Sequence, residues 1–402
     1  MSIAHPQPLG VLPWPAGLLL LPDTKDAANI ASDLIMGRIP ADWPAELEYM
    51  RHALDDNIEM ATECIPGTDL LSRYNRAVLV GGEGVWEALL AETSGELHAL
   101  AEVGAFSVGL TNSPPSAEGT SGEVAAMVRS ARASAFLEAG NVNAALEELG
   151  EATAAADSVP SPVLAATMRL TRAELLREAA GNPMAANAEL DAGIRLLPAD
   201  VDPELRAEMY VARGMARHEL GQENPGYLLP AVNDFTEAAK TFREDSHPEM
   251  FAIVSQHLAL AYLIMPMSSE GDRIRVGVAV NALRAALRVF TPESHPAAWA
   301  STQLNLANAL QYLPSVHQEE NLDESVHLYE EILQHRDPDL DPLGYARILA
   351  NQGNALGHLG VFSDARERLT TAREIFARQG DAESVAGVDE IIVSLNEAEA
   401  AK

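Results

Sequence analysis

Basic residues are scarce in this chain. Its 402 residues hold 27 Lys and Arg against 59 Asp and Glu, a formal charge of −32. Such a surface repels phosphate backbones and anionic lipid heads, so it argues against nucleic acid and against a membrane surface as partners. A basic protein surface or peptide is the better match, steered by an attraction that salt weakens. The same charge also serves plain solubility. Cysteine is reduced to Cys64, which excludes a disulfide within the chain and a Cys-rich metal site. Its neighbours Glu63, Ile65 and Pro66 supply no cation to lower the thiol pKa, so it reads as a buried, inert thiol. Aromatics make up 5% while alanine and leucine abound, a bias toward helix over sheet. No run reaches the roughly 18 to 20 apolar residues of a membrane helix.

The most apolar stretch is VLPWPAGLLLLPD, Val11 to Asp23. No Lys or Arg precedes Lys25, so the cationic start of a signal peptide is missing. Prolines 13, 15 and 22 break any helix there. The expected location is cytoplasmic. The expected role of residues 1–22 is an extended apolar segment, with Trp14 and Leu18 to Leu21 laid across helices that follow. An exposed docking segment is the alternative.

A repeat runs through the second two-thirds. SHPEMFAIVSQHLALAYLIMP from Ser246 and SHPAAWASTQLNLANALQYLP from Ser294 share a spaced set: Pro248, Ala252, Ala259, Ala261 and Pro266 against Pro296, Ala300, Ala307, Ala309 and Pro314. The same ruler fits Pro342, Ala346, Gly353, Ala355 and Gly360, and Pro203, Ala207, Gly214, Ala216 and Gly221. It fits again at Ala126, Ala133, Ala135 and Gly140, and loosely from Pro162. Each copy continues into a second amphipathic run, in the last case Phe362, Ala365, Leu369, Ala372 and Phe376. Proline at the start and glycine at the end of the first helix make each copy a helical hairpin, with Ser246 and Ser294 expected as N-caps. Small residues on the facing sides let the two helices approach closely.

GYARILANQGNALGHLGVFSDARERLTTAREIFARQGD, Gly344 to Asp381, resembles a tetratricopeptide (TPR) repeat, and LNLANALQYLP and AGNVNAALEELGEATAAA match nearly as well. The resemblance implies an all-α fold, an α-solenoid of about six TPR-like hairpins over 123–381. A C-terminal capping helix over 382–402 would follow it, and an irregular helical region over 23–110 would precede it. The polar stretch TNSPPSAEGTSG, 111–122, would be a linker or loop. Three copies exceed the family's period through extra residues around Gln222–Leu229, Met267–Val276 and Ser315–Glu320.

Before residue 110 the ruler fails, but helices are readable. Asp23-Thr24 would cap one through Met36, and Asp42 would cap a long one running to Pro66. Thr68 would cap DLLSRYNRAVLV. VLVGGEGVWEALL has the look of a phosphate loop but lacks lysine and holds Glu83, so it reads as an interhelical turn. The histidines form no metal-ligand spacing; His247 and His295 mark helix starts. No nucleophile motif is present, and the expectation is a protein that is not an enzyme and carries no cofactor.

In the resembled family, first helices of successive hairpins line a concave groove. Its groove positions carry over to Gln256, Leu260, Leu263 and Ile264, then Leu304, Asn308, Gln311 and Tyr312, then Arg347, Asn354 and His358, with Asn351 on the same face. Members that clamp a C-terminal carboxylate use asparagines at Asn308 and Asn351 but a lysine where this chain has Leu304, so that clamp is rejected. The groove fits an apolar protein or peptide segment with basic flanks, and self-association is compatible with it. The amides would meet a partner's backbone or tie neighbouring helices together; on the first reading, replacing Asn308 and Asn354 with Ala weakens binding without unfolding. The function implied is a scaffold or adaptor. The alternatives are an assembly factor for one enzyme complex or a ligand-responsive regulator. GRIPADWPAELEYMR and SRYNRAVLV resemble repeat proteins that accompany nickel–iron hydrogenases, which points the assembly reading toward a hydrogenase-type metalloenzyme.

Overall fold

The computed structural model describes residues 3–266, 272–313 and 317–401, all helix, turn and loop. The chain forms two compact units, Met1–Leu220 and Gly221–Lys402. The first unit opens with six helices: α1 (Lys25–Leu34), α2 (Glu48–Leu54), α3 (Ile58–Cys64), α4 (Leu70–Val80), α5 (Glu83–Glu92) and α6 (Glu96–Ser107). Paired helices follow: α7 (Gly122–Glu138) with α8 (Val142–Asp157), and α9 (Pro162–Glu178) with α10 (Pro183–Leu196). Then comes α11 (Pro203–Glu223). The second unit holds α12 (Leu228–Ala238), α13 (Pro248–Leu263), α14 (Asp272–Ala286), α15 (Pro296–Tyr312), α16 (Gln318–Gln334), α17 (Pro342–Leu359), α18 (Phe362–Gln379) and α19 (Ala382–Ala400).

Five of the six repeat copies pair as antiparallel hairpins inside one unit; the copy made of α11 and α12 is divided between them. Every copy buries at least one small position of the ruler: Ala133, Ala173, Ala216, Ala259, Ala307 and Ala355 are at most 2% exposed. Their function is close approach. A Cβ on Gly353 would lie 2.8 Å from Leu369 Cγ and 3.1 Å from the Ala365 carbonyl oxygen of the facing helix α18. Gly360 then closes α17 at φ 78°, a left-handed C-cap that glycine adopts without strain.

The helix starts differ from the expectation at two serines. Pro248 and Pro296 occupy the first helical turn, so the cap residues are His247 and His295. Ser246 and Ser294 stand one place earlier, and their hydroxyls meet Nδ1 of the following histidine at 3.0 and 2.9 Å. Those imidazoles pack on Phe242 and Phe290. Where the residue before the proline is Ser161 or Asp341, its side chain does accept a helix N–H. Likewise α4 is capped by Asp69 rather than Thr68.

The N-terminal third is more broken than expected. The long helix from Asp42 is a short 3₁₀ turn, α2 and α3, interrupted at Asp55–Asn57. Asp56 takes φ 55°, and the Asn57 side chain starts a new helix by accepting the Met60 N–H. Both residue types compete locally for backbone hydrogen bonds, which is why apolar spacing alone misses the break. Gly81 and Gly82, both at positive φ, join α4 to α5, so the glycine pair is an interhelical turn. Cys64 is half-buried at the edge of the first core. Residues 111–121 form a loop whose flanking helices α6 and α7 contribute to one apolar core. Of the extended turns, residues 267–271 and 314–316, with Pro314, lie outside the described residues; Pro225–Tyr227 is a short 3₁₀ turn.

The opening segment is core. Leu19, Leu20 and Leu21 are at most 2% exposed, and Leu9, Val11 and Leu12 are buried. Its backbone is not uniformly extended, since Ala16–Leu18 make a 3₁₀ turn. Trp14 is 69% exposed, contrary to the expected packing; Pro13 and Trp14 stand in the open just before that turn, while Pro15, Ala16 and Gly17 are buried. The Asn75 amide exchanges two 2.8 Å hydrogen bonds with the Leu20 backbone, and Tyr49 donates to the Leu20 carbonyl at 2.7 Å. These satisfy polar groups that burial would otherwise strand. Among the described residues no helix is long and apolar enough to cross a membrane.

His5 fixes the start of this segment. Its Nδ1 lies 2.7 Å from Glu123 and its Nε2 3.0 Å from Glu96, so both nitrogens donate when the ring is protonated. Burial works against the imidazolium, but the hydrogen bonds and charges of Glu123 and Glu96 outweigh it and raise the His5 pKa above 6.5. A raised folded-state pKa stabilises the fold fully below 6.5, and the gain fades as pH climbs through the raised value. The stability difference between the wild type and His5→Gln is therefore expected to be full below pH 6.5 and to shrink as pH rises through the raised folded-state value, read from paired thermal melts. A difference that is constant or grows with pH contradicts the clasp.

Candidate functional site

The first helices of the second unit's hairpins lie side by side, α13 against α15 and α15 against α17. Each opens with a proline, so residues can be compared by their distance from it. Leu260, Asn308 and Asn354 fall twelve places on, and Ile264, Tyr312 and His358 sixteen places on. The structure thus brings the expected groove residues into common registers. At the helix ends Ile264 is 42% and Tyr312 74% exposed, and His358 is exposed too. Leu260, Leu263 and Leu304 are half-buried, so only part of each apolar side chain is open.

Below this row the polar residues form a chain of hydrogen bonds between helices. Tyr329 of α16 donates to Asn308 Oδ1 at 2.5 Å, and Asn351 Nδ2 donates to the same oxygen at 3.1 Å. Gln311 Nε2 donates to the Tyr329 hydroxyl at 2.6 Å, and Asn354 Nδ2 donates to Gln311 Oε1 at 3.3 Å. Gln256 reaches Ser301 of α15 at 3.5 Å. Burial pushes the Tyr329 ionisation up, which keeps its hydroxyl a donor at neutral pH. The amides therefore tie neighbouring helices together. What they leave open is the Asn308 Nδ2 group and the side-chain oxygens of Asn351 and Asn354, which have no hydrogen-bond partner among the described residues.

Arg347 is exposed near the start of α17. Asp381, the cap of α19, is held below the usual carboxylate range by the Ser384 N–H and hydroxyl, and the Arg347 charge adds to this. His358 and Asn354 line a cleft of about 380 Å³ with Gly387, Glu390 and Ile391 of α19. This cleft lies between α17 and the capping helix. The repeat ruler missed Tyr329, Ser301 and the α19 residues, because it follows first helices and these contributions come from a second helix, an intermediate register and the cap.

Paired antiparallel helices with small residues at their crossings, repeated in register, are a TPR-like architecture. No family model and no curated protein matches the sequence. Among solved structures the chain is similar to the apo form of RapI, at 11% identity over 87% of this chain and 96% of that one, TM-score 0.47. It is similar to a Rap protein complexed with competence and sporulation factor, at 12% identity over 88% and 94%, TM-score 0.42. It is also similar to the TPR2AB domain of yeast Sti1 in complex with pHSP90, at 17% identity over 67% and 98%, TM-score 0.25. At such scores the assignment rests on this chain's own helix pairing.

Because Asn308 Oδ1 receives two hydrogen bonds, replacing Asn308 carries a stability cost besides its expected effect on binding. Asn308→Ala is expected to destabilise the protein by about 1–3 kcal/mol, since it removes the acceptor of the buried Tyr329 hydroxyl. Urea unfolding measures it; an unchanged midpoint would show that the network is dispensable.

Proposed function

We propose that this protein is a binding scaffold whose second unit holds an extended protein or peptide segment along α13, α15 and α17. The observation that carries the reading is the exposed row Ile264, Tyr312 and His358, repeated in one register above amides with unused hydrogen-bonding atoms. An exposed tyrosine beside an aliphatic residue is a typical anchor for an apolar side chain, since it offers much contact area at low entropy cost. Asn308 Nδ2 suits a peptide carbonyl and Asn351 Oδ1 a peptide N–H. The formal charge of −32 favours basic flanks on the ligand. Leu304 stands where the carboxylate clamp has its lysine, so an internal segment fits better than a chain end.

Selection of a random peptide display library on the full chain is expected to enrich an apolar residue flanked by Lys or Arg. Replacing Ile264 and Tyr312 together with Ala is expected to weaken the selected peptide about tenfold or more. Enrichment of acidic sequences, or an affinity untouched by the double substitution, would overturn the reading.

A further inference from the structure

The first unit contains a second opening that the groove does not involve. It is a cavity of about 370 Å³ between the opening segment, α2, the α3–α4 turn, α4 and α6. One side is apolar, formed by Ile3, Ile65, Leu71 and Leu97. Three carboxylates, Asp23, Glu46 and Asp69, share the lining with them.

The neutral polar groups there are already committed. Tyr49 and Asn75 bond the Leu20 backbone, and the Ser72 hydroxyl donates to the Pro66 carbonyl and to Asp69 Oδ2 at 2.5 and 2.8 Å. The carboxylates are not matched by cations. Glu46 accepts the Thr24 hydroxyl, and Asp69 accepts the Ser72 N–H at 3.0 Å and the Ser72 hydroxyl. Among the described residues none of the three carboxylates has an ion-pair partner. The basic group bonded to this lining is Arg76, and it points its two terminal nitrogens at the Ile65 and Gly67 carbonyls, at 2.7 and 2.9 Å. The Ser72 N–H, with its hydroxyl, holds the Asp69 carboxyl below the usual range, so it is ionised at neutral pH.

An anion would meet like charge here. Asp23 and Asp69 are exposed to solvent, whereas Glu46 is half-buried, and a neutral apolar molecule would cover it without matching its charge. A folded partner would not enter, since the volume is at the low end of small-molecule sites. We propose that the cavity binds a small amphipathic cation, a primary ammonium on a short aliphatic tail, with the tail against Ile3, Ile65, Leu71 and Leu97 and the ammonium at Glu46 and its neighbouring carboxylates. The site is independent of the groove in the second unit.

Isothermal titration of the full chain at low salt, with hexylamine, hexanol and hexanoate as probes, tests this. Saturable binding of a single equivalent is expected for hexylamine, at least tenfold tighter than hexanol, with no binding of hexanoate. Glu46→Gln, which keeps an acceptor for Thr24, is expected to weaken hexylamine about tenfold while the ligand-free melting temperature is retained. Ile264→Ala with Tyr312→Ala is expected to leave hexylamine affinity unchanged. The proposal fails if hexylamine does not saturate, if hexanol binds equally well, if Glu46→Gln has no effect, or if the groove substitutions abolish the binding.

Discussion

The structure depends on how closely two helices of one hairpin can approach. At Gly353 the facing Leu369 and the Ala365 carbonyl occupy the space a side chain would need. The residues at the equivalent places in the other copies, Ala133, Ala173, Gly214, Ala259 and Ala307, are buried too. Close approach lets the large residues on either side interdigitate, and it fixes how each first helix is presented to the next hairpin. The register of Ile264, Tyr312 and His358 follows from that spacing. The exposed row and the amide chain below it are consequences of a constraint set on the opposite, buried faces of the same helices.

The repeat was legible because this constraint acts on composition. Only glycine, alanine or serine fits at a crossing, so the pattern survives where the rest of each copy diverges. The positions of the groove residues followed from the same ruler. Their roles did not. An asparagine at a groove position is compatible with a partner or with a neighbouring helix, and the choice depends on Tyr329, which belongs to a different helix and a different register. In the N-terminal third no ruler operates, and local side-chain to backbone competition at Asp56, Asn57 and Asp69 decides where helices begin. The four leucines were legible as packing, but the exposure of Trp14 was not, because apolar composition alone does not place the 3₁₀ turn that follows it.

Charge works differently in the two units' candidate sites. Many arginines of the first unit are drawn into ion pairs between helices, such as Arg132 with Glu148 and Arg169 with Asp157, both at 2.7 Å. These pairs are partly buried, and they remove cations from the surface. What remains is a strongly acidic exterior in which unmatched carboxylates can be put to use. In the proposed groove that bias would favour basic flanks on a peptide, and in the cavity beside Glu46 it would favour a cationic head.

The most direct test of the scaffold account is amide hydrogen exchange of the full chain with and without a display-selected peptide. Protection concentrated in Pro248–Leu263, Pro296–Tyr312 and Pro342–Leu359, with α14, α16 and α18 little changed, is the predicted result. Protection confined to the outer helices, or to the first unit alone, would contradict it.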